Sequence, residues 1–206
     1  MNFKEKTVYQ IYPKSFQDSN GDGWGDLQGV ISRLDYLQKL GIEYIWFNAM
    51  FVSPQRDNGY DVEDYRAIDP RYGTMEDFTE LCREAKKRGI DIMLDMVFNH
   101  ASTRHVWFQK ALKGEEKYKD YFFFRKGKAD GSAPNNWNSK FGGPAWEYVK
   151  ELDEYYLHLY DVTQADLNWD NSEVRKELAD IVNFWRSKGV HGFRFDVVNL
   201  VSKGSF

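Results

Sequence analysis

Three times along the chain, apolar residues at helical spacing give way to a glycine and then to a short apolar run. Asp26 precedes Leu27, Val30, Ile31, Leu34 and Leu37, which share one face of a helix, and Leu40-Gly41 closes it before the strand-like Tyr44–Phe47. Thr74 and Asp77 have the spacing of a capping box, Phe78, Leu81, Cys82 and Ala85 form the next apolar face, and Gly89 leads into a run over 90–98. Asn171 or Ser172 caps a third helix whose face is Val174, Leu178, Ile181, Val182 and Trp185, and Gly189 precedes a strand over 190–196. With Thr7–Ile11 as the first strand, this alternation specifies an α/β fold of parallel strands joined by crossover helices. It is either half of an eight-stranded barrel or a small open sheet.

Residues 101–168 break the rhythm. They lack a clean helical period and are rich in Trp, Tyr, Asn, Gly and Pro, so they read as a subdomain inserted after the third strand. The expected organisation is 1–100 as the first part of a barrel, 101–168 as the insert, and 169–206 continuing the barrel through its fourth strand. Loops that follow barrel strands carry function, so such an insert builds one wall of a cleft.

Composition narrows the partners. Lys+Arg number 28 against Asp+Glu 32, spread evenly, so there is no basic stripe for nucleic acid. No run approaches the length of a membrane span and the N-terminus has no apolar signal core, which makes a cytoplasmic location the expectation. Cys82, the one cysteine, sits among the apolar positions of a helix and reads as packing. Aromatic residues make up 17% and fall among polar ones, as in Asn136-Trp137-Asn138 and Trp146-Glu147-Tyr148. Rings that stack on C–H faces beside groups that bond hydroxyls suit a carbohydrate ligand, although core packing also uses rings.

The second, third and fourth predicted strands end in polar residues: Asp57-Asn58-Gly59-Tyr60-Asp61 follows the second, Asp95 with Asn99 and His100 closes the third, and Arg194-Phe195-Asp196 closes the fourth. Arg194 and Asp196, two apart on a strand, share a face, so the guanidinium should hold the carboxylate ionised. Taken alone the pair reads as a structural ion pair. Asp95, Asn99 and His100 converging on the same barrel end point instead to a polar ligand.

LDMVFNH at 94–100 and GFRFD at 192–196 resemble the first two signatures of the α-amylase family of glycoside hydrolases, and YQIYPKSF, DNGYD and QADLNWDN extend the resemblance over essentially the whole chain. The resemblance implies a (β/α)8 TIM barrel, of which strands 1 to 4 lie here, with a subdomain after strand 3, and retaining hydrolysis of terminal α-glucosidic bonds. It implies Asp196 as nucleophile, Arg194 as its orienting partner, and Asp57, Tyr60, His100 and Tyr160 as sugar-binding residues, with Asp95 and Asn99 supporting them. The family takes its general acid from a fifth strand that has no match here, so residues 1–206 alone are expected to lack hydrolytic activity.

Val197 after the nucleophile looks like the branches that cleave α-1,6 links or trehalose 6-phosphate and makes a maltase less expected, while Lys140 in SKFGG and the string YPKSF look more like the branch that splits trehalose 6-phosphate into glucose and glucose 6-phosphate, with Lys140 a candidate for the phosphate. An oligo-1,6-glucosidase or other α-glucosidase is the alternative, and a noncatalytic amylase-like homologue a further one. Asp18, Asn20, Asp22, the carbonyl of Trp24 and Asp26 occupy positions 1, 3, 5, 7 and 9 of an EF-hand-like loop, with Gly29 where the bidentate glutamate would stand. Spacing alone leaves this loop open between a cation site and a plain turn; the resemblance implies structural Ca2+.

Overall fold

In the computed structural model, which describes residues 3–204, the chain divides into two compact units. Of the described residues, one comprises 3–52, 65–96 and 181–195; the other comprises 53–64, 97–180 and 196–204.

The first unit is built on β1 (Val8–Ile11), β2 (Tyr44–Phe47), β5 (Asp91–Met96) and β11 (Gly192–Phe195), which form a parallel sheet in that order. Each new strand pairs with the one before it, the order in which consecutive strands of a (β/α)8 barrel are laid down. The run 44–47 is a strand over the residues expected. The apolar face after Asp26 instead makes two helices, α2 (Leu27–Ser32) and α3 (Leu34–Lys39), after the single turn α1 (Pro13–Phe16). Arg33 leaves helical geometry between them, with φ −104° and ψ 2°. Leu27, Val30, Leu34 and Leu37 are nonetheless all fully buried, so the hydrophobic period survives the break.

The helix α4 (Met75–Lys87) begins with the capping box, Thr74 and Asp77 bonding each other's backbone N–H groups. The short strands β3 (Phe51–Val52) and β4 (Asp64–Ile68) pair with each other. Trp185, fully buried near the end of α7 (Ser172–Ser187), stacks on Phe51 at 5.0 Å, meets Phe78 edge-on at 5.2 Å and donates its indole N–H to the Tyr65 carbonyl at 2.7 Å. Its one polar atom is thereby satisfied in the core.

Phe47-Asn48-Ala49 stands at the end of β2. Asn48 donates its backbone N–H to Ile11 at 3.1 Å and accepts from the Gln10 amide at 2.9 Å, so the asparagine ties β2 back to β1.

The second unit holds β6 (His100–Ser102) paired antiparallel with β10 (Gln164–Asp166), and a three-stranded antiparallel sheet of β7 (Phe124–Arg125), β9 (Glu154–Leu157) and β8 (Trp146–Val149). It also contains two short helices that the sequence pattern does not announce, α5 (Val106–Leu112) and α6 (Glu116–Lys119). Phe123, Ala145, Trp146 and Leu157 form the core of that sheet. Asn171 caps α7 by accepting the N–H of Glu173 at 2.8 Å. No helix among the described residues is long and apolar enough to cross a membrane.

Candidate active site

A buried carboxylate shapes the loop over 53–61. Asp61, fully withdrawn from solvent, accepts from the Ser53 hydroxyl at 2.9 Å and from the backbone N–H groups of Arg56 and Asp57 at 2.9 and 3.0 Å. Gln55 and Asn58 take left-handed φ values of 62° and 51°, and the chain turns so that Tyr60 donates its N–H to the Asp57 carbonyl at 3.0 Å. Strained non-glycine positions persist where surrounding bonds over-determine them. Here they present Asp57 and Tyr60, both half-buried.

The pairing of β6 with β10 sets His100 directly opposite Asp166 and Ser102 opposite Gln164. Gln164 is held through its oxygen, which accepts from the Asp161 N–H at 2.9 Å, so its amide nitrogen is aimed at Asp57, 2.9 Å away. The same nitrogen lies 3.2 Å from His100 Nε2. Sequence reasoning missed Gln164 and Asp166 as site residues; the signal available was their alternation with buried Ala165 and Leu167.

His100 is buried and its Nε2 stands 3.0 Å from the Tyr60 carbonyl. Burial pushes the imidazole below its ordinary range, only partly opposed by Asp166, the Tyr60 carbonyl and Asp196, so the ring is neutral. Asp57 moves the other way: desolvation raises its carboxyl, while the bond from Gln164 pulls it down. The Tyr160 ring lies 5.4 Å from His100 and meets Phe141 edge-on at 5.5 Å. Burial raises the Tyr160 hydroxyl, with Asp196, Asp166 and Asp57 adding to it. Asp196 therefore acts electrostatically on both His100 and Tyr160, which brings the expected nucleophile into the company of the expected sugar-binding groups.

Beneath this cluster lies a cation that sequence reasoning did not single out. Lys203 has a side chain only 1% exposed, with its ammonium 2.8 Å from Asp166 and 2.6 Å from Asn99 Oδ1. Asn99 in turn donates to Asp166 at 2.9 Å. Lys140, by contrast, is exposed; its backbone N–H donates to Leu159 at 2.8 Å.

In the other unit, Arg194 is the register partner of Asp95 and donates to both of its oxygens, at 2.9 and 3.0 Å. The Trp46 indole adds a third donor at 3.2 Å, and the guanidinium lies 5.1 Å from the centre of that ring. Asp95 is fully buried, so the three contacts compensate a costly charge. The strand ends at Phe195, one residue short of Asp196, so the alternation that would set Arg194 and Asp196 on one face stops there. Val197 follows with φ 40° and ψ 35°, a left-handed conformation that a β-branched residue rarely adopts.

The loop over 18–26 is ordered by its own backbone. Asp18 accepts from the N–H groups of Gly21, Gly23 and Asn20 at 2.7, 2.9 and 3.1 Å, and these bonds hold its carboxyl below the ordinary range. Asn20 accepts from Asp22 at 2.9 Å and Asp22 from Trp24 at 2.8 Å, while Asp26 caps α2 through Gly29 at 2.6 Å and holds Ser19. No three His, Cys, Asp or Glu side chains among the described residues are grouped to hold a metal by themselves. A hard cation here would draw on the Asn20 amide oxygen and the Trp24 carbonyl as well, an all-oxygen set suited in kind to Ca2+.

The chain is 58% identical over 196 residues to a trehalose-6-phosphate hydrolase of Escherichia coli (strain K12), covering 95% of this chain and 35% of that protein. It is 52% identical to an oligo-1,6-glucosidase of Bacillus cereus, covering 98% of this chain and 36% of that one. Among solved structures, the trehalose-6-phosphate hydrolase of Bacillus licheniformis superposes with a TM-score of 0.96 at 53% identity, covering 98% of this chain and 36% of that one. The isomaltulose synthase of Protaminobacter rubrum gives 0.95 at 50% identity, with the same coverage of each chain. The chain thus spans about a third of the length of the relatives it matches. Residues 10–205 match the family model described as alpha amylase, catalytic domain, and the chain belongs to the alpha-amylase family.

Proposed function

We propose that these residues form the glucosyl-binding and nucleophilic part of a retaining α-glycoside hydrolase, with trehalose 6-phosphate as substrate. The carrying observation is the Asp57–Gln164–His100 group, with Tyr160 over the imidazole and Asp196 in electrostatic reach of both rings. A carboxylate that accepts and a neutral imidazole that donates suit adjacent sugar hydroxyls, and the tyrosine ring suits the apolar face of the sugar.

In this reading Asp196 attacks the anomeric carbon while a second carboxyl group, about 5–5.5 Å away in retaining enzymes, protonates the departing oxygen. By resemblance Arg194 is the orienting partner of the nucleophile; its guanidinium is itself fixed by Asp95 and lies against the Trp46 ring. No carboxylate in this sequence matches the family's proton donor.

Trehalose 6-phosphate is favoured over isomaltose by the SKFGG and YPKSF strings, and the exposure of Lys140 leaves its ammonium accessible to a phosphate. A phosphorylated disaccharide does not cross membranes unaided, so this substrate implies a cytoplasmic enzyme. Oligo-1,6-glucosidase activity is the second reading, favoured by the 52% identity noted above. Turnover of trehalose 6-phosphate and isomaltose by the full gene product discriminates: a higher kcat/KM on isomaltose rejects the first reading.

We further propose that the loop over 18–26 binds Ca2+ through Asp18, Asn20, Asp22, Asp26 and the Trp24 carbonyl, as a structural ion. Calorimetric titration of the metal-free protein is expected to show one saturable site that Asp22→Ala removes. Heat unchanged by Asp22→Ala assigns the loop to turn formation alone.

A further inference from the structure

The hydrogen bonds around Asn99 run in one direction only. An ammonium can only donate, so the contact of Lys203 with Asn99 fixes the amide oxygen toward the lysine. The amide nitrogen then faces Asp166 at 2.9 Å and His100 Nδ1 at 3.0 Å. Nδ1 must accept, and the proton of the neutral ring is left on Nε2, where it meets the Tyr60 carbonyl at 3.0 Å. Nε2 has a second neighbour in the Gln164 amide nitrogen, fixed by Asp161, at 3.2 Å; that donor competes for a lone pair on Nε2, but one of its protons goes to Asp57 at 2.9 Å and the Tyr60 carbonyl is the nearer partner, so the Asn99 contact with Nδ1 decides the tautomer.

We propose that Lys203 is a positioning residue whose ammonium, acting through Asn99, locks His100 in the Nε2–H tautomer and so holds its bond to the Tyr60 carbonyl. The inference rests on the glycoside reading only for the identity of the ligand. With Nε2–H given to the Tyr60 carbonyl, the imidazole ties β6 to the turn that presents Asp57, and the carboxylate is the acceptor offered to a neighbouring hydroxyl. In the other tautomer Nε2 would present a lone pair to the Tyr60 carbonyl, and the ring would lose its anchor. Asp166 has a second part in this arrangement: it neutralises Lys203 and takes the other Asn99 amide proton, so the carboxamide has no reason to rotate. The backbone carbonyl of Leu200 accepts from the same ammonium at 2.5 Å, which fixes the lysine from its own segment.

Long-range 1H–15N correlation spectra of the four histidines in the 206-residue chain test this directly. At neutral pH, His100 is expected to show a protonated Nε2 and an unprotonated Nδ1. Lys203→Met is expected to average the two nitrogens, and Lys203→Arg to restore the native pattern. Asn99→Asp keeps a partner for Lys203 but offers Nδ1 an acceptor in place of a donor, so a proton is expected on Nδ1; this variant serves if Lys203→Met does not fold. A native Nδ1–H tautomer, or an unchanged His100 pattern in Asn99→Asp, overturns the proposal. Affinity for methyl α-glucoside is expected to fall about tenfold in the altered-tautomer variant, because the turn that presents Asp57 loses one hydrogen bond, that from Nε2 to the Tyr60 carbonyl. If the tautomer responds as stated but the native chain binds no glucoside, the positioning role stands and the glycoside reading fails.

Discussion

Lys203 and Asp166 meet at 2.8 Å with side chains 1% and 0% exposed, a fully desolvated ion pair between residues 37 apart in sequence. Such a pair adds little compared with a well-packed apolar substitute, but removing one partner leaves a bare buried charge. Lys203→Met is therefore expected to cost about 3–5 kcal/mol in urea denaturation. The double variant Lys203→Met/Asp166→Leu should recover part of the loss. A single variant within 1 kcal/mol of native, on the order of an exposed pair, would show that water reaches Asp166.

The pH dependence of stability carries a contribution from His100. Burial holds its folded-state value below 6.5, so between that folded value and 6.5 the unfolded chain binds more protons than the folded one. Its contribution to stability is full above pH 6.5 and is lost as the pH falls through the folded value. Denaturation at pH 7.5, 6 and 5 should show the native chain losing more stability on acidification than His100→Gln. Parallel curves for the two would mean that His100 is already solvated.

The parallel strands were legible because apolar runs bounded by glycine have few other readings, and Tyr44–Phe47 came through residue for residue. The break at Arg33 was not, since the apolar period of 27–37 runs straight across it. The helices α5 and α6, seven and four residues long, are shorter than the window over which a helical period can be read. Within the site, Asp57, Tyr60, His100, Tyr160 and Asp196 were singled out from motifs, and the structure brings all five into one unit. Lys203 escaped because a lone lysine reads as solvated, and nothing local to it announces a carboxylate on β10. Gln164 escaped because its task depends on the Asp61-centred turn, a tertiary device.

Asp57 is expected to trade stability for binding. Desolvation raises its carboxyl, so at neutral pH its charge works against the fold, an effect present once the pH exceeds the raised folded value. Asp57→Asn keeps an acceptor for the Gln164 amide and removes the charge. The expected outcome is a thermal midpoint slightly above native together with loss of methyl α-glucoside binding, read by calorimetry on the same samples. A lowered midpoint would mean that the carboxylate is held by stabilising contacts stronger than its desolvation.

Gly29 inverts the usual rule for glycine in a helix. Replacing glycine by alanine inside a helix normally gains about 1 kcal/mol. Here a Cβ would come 2.0 Å from the Gln17 carbonyl oxygen, far inside contact distance. That oxygen cannot simply withdraw, because it accepts the Asp26 N–H at 3.0 Å, and Asp26 in turn caps α2 through the Gly29 N–H. Relief of the clash would break the bond that sets the helix start, so the overpacking cost of about 1–3 kcal/mol or more should exceed the propensity gain. Gly29→Ala is expected to lower the urea midpoint. It should also weaken any cation binding by the 18–26 loop, because Asp26 belongs to both. A midpoint at or above native would show that the segment around Gln17 yields at little cost, and that the close approach of α2 is incidental to the loop.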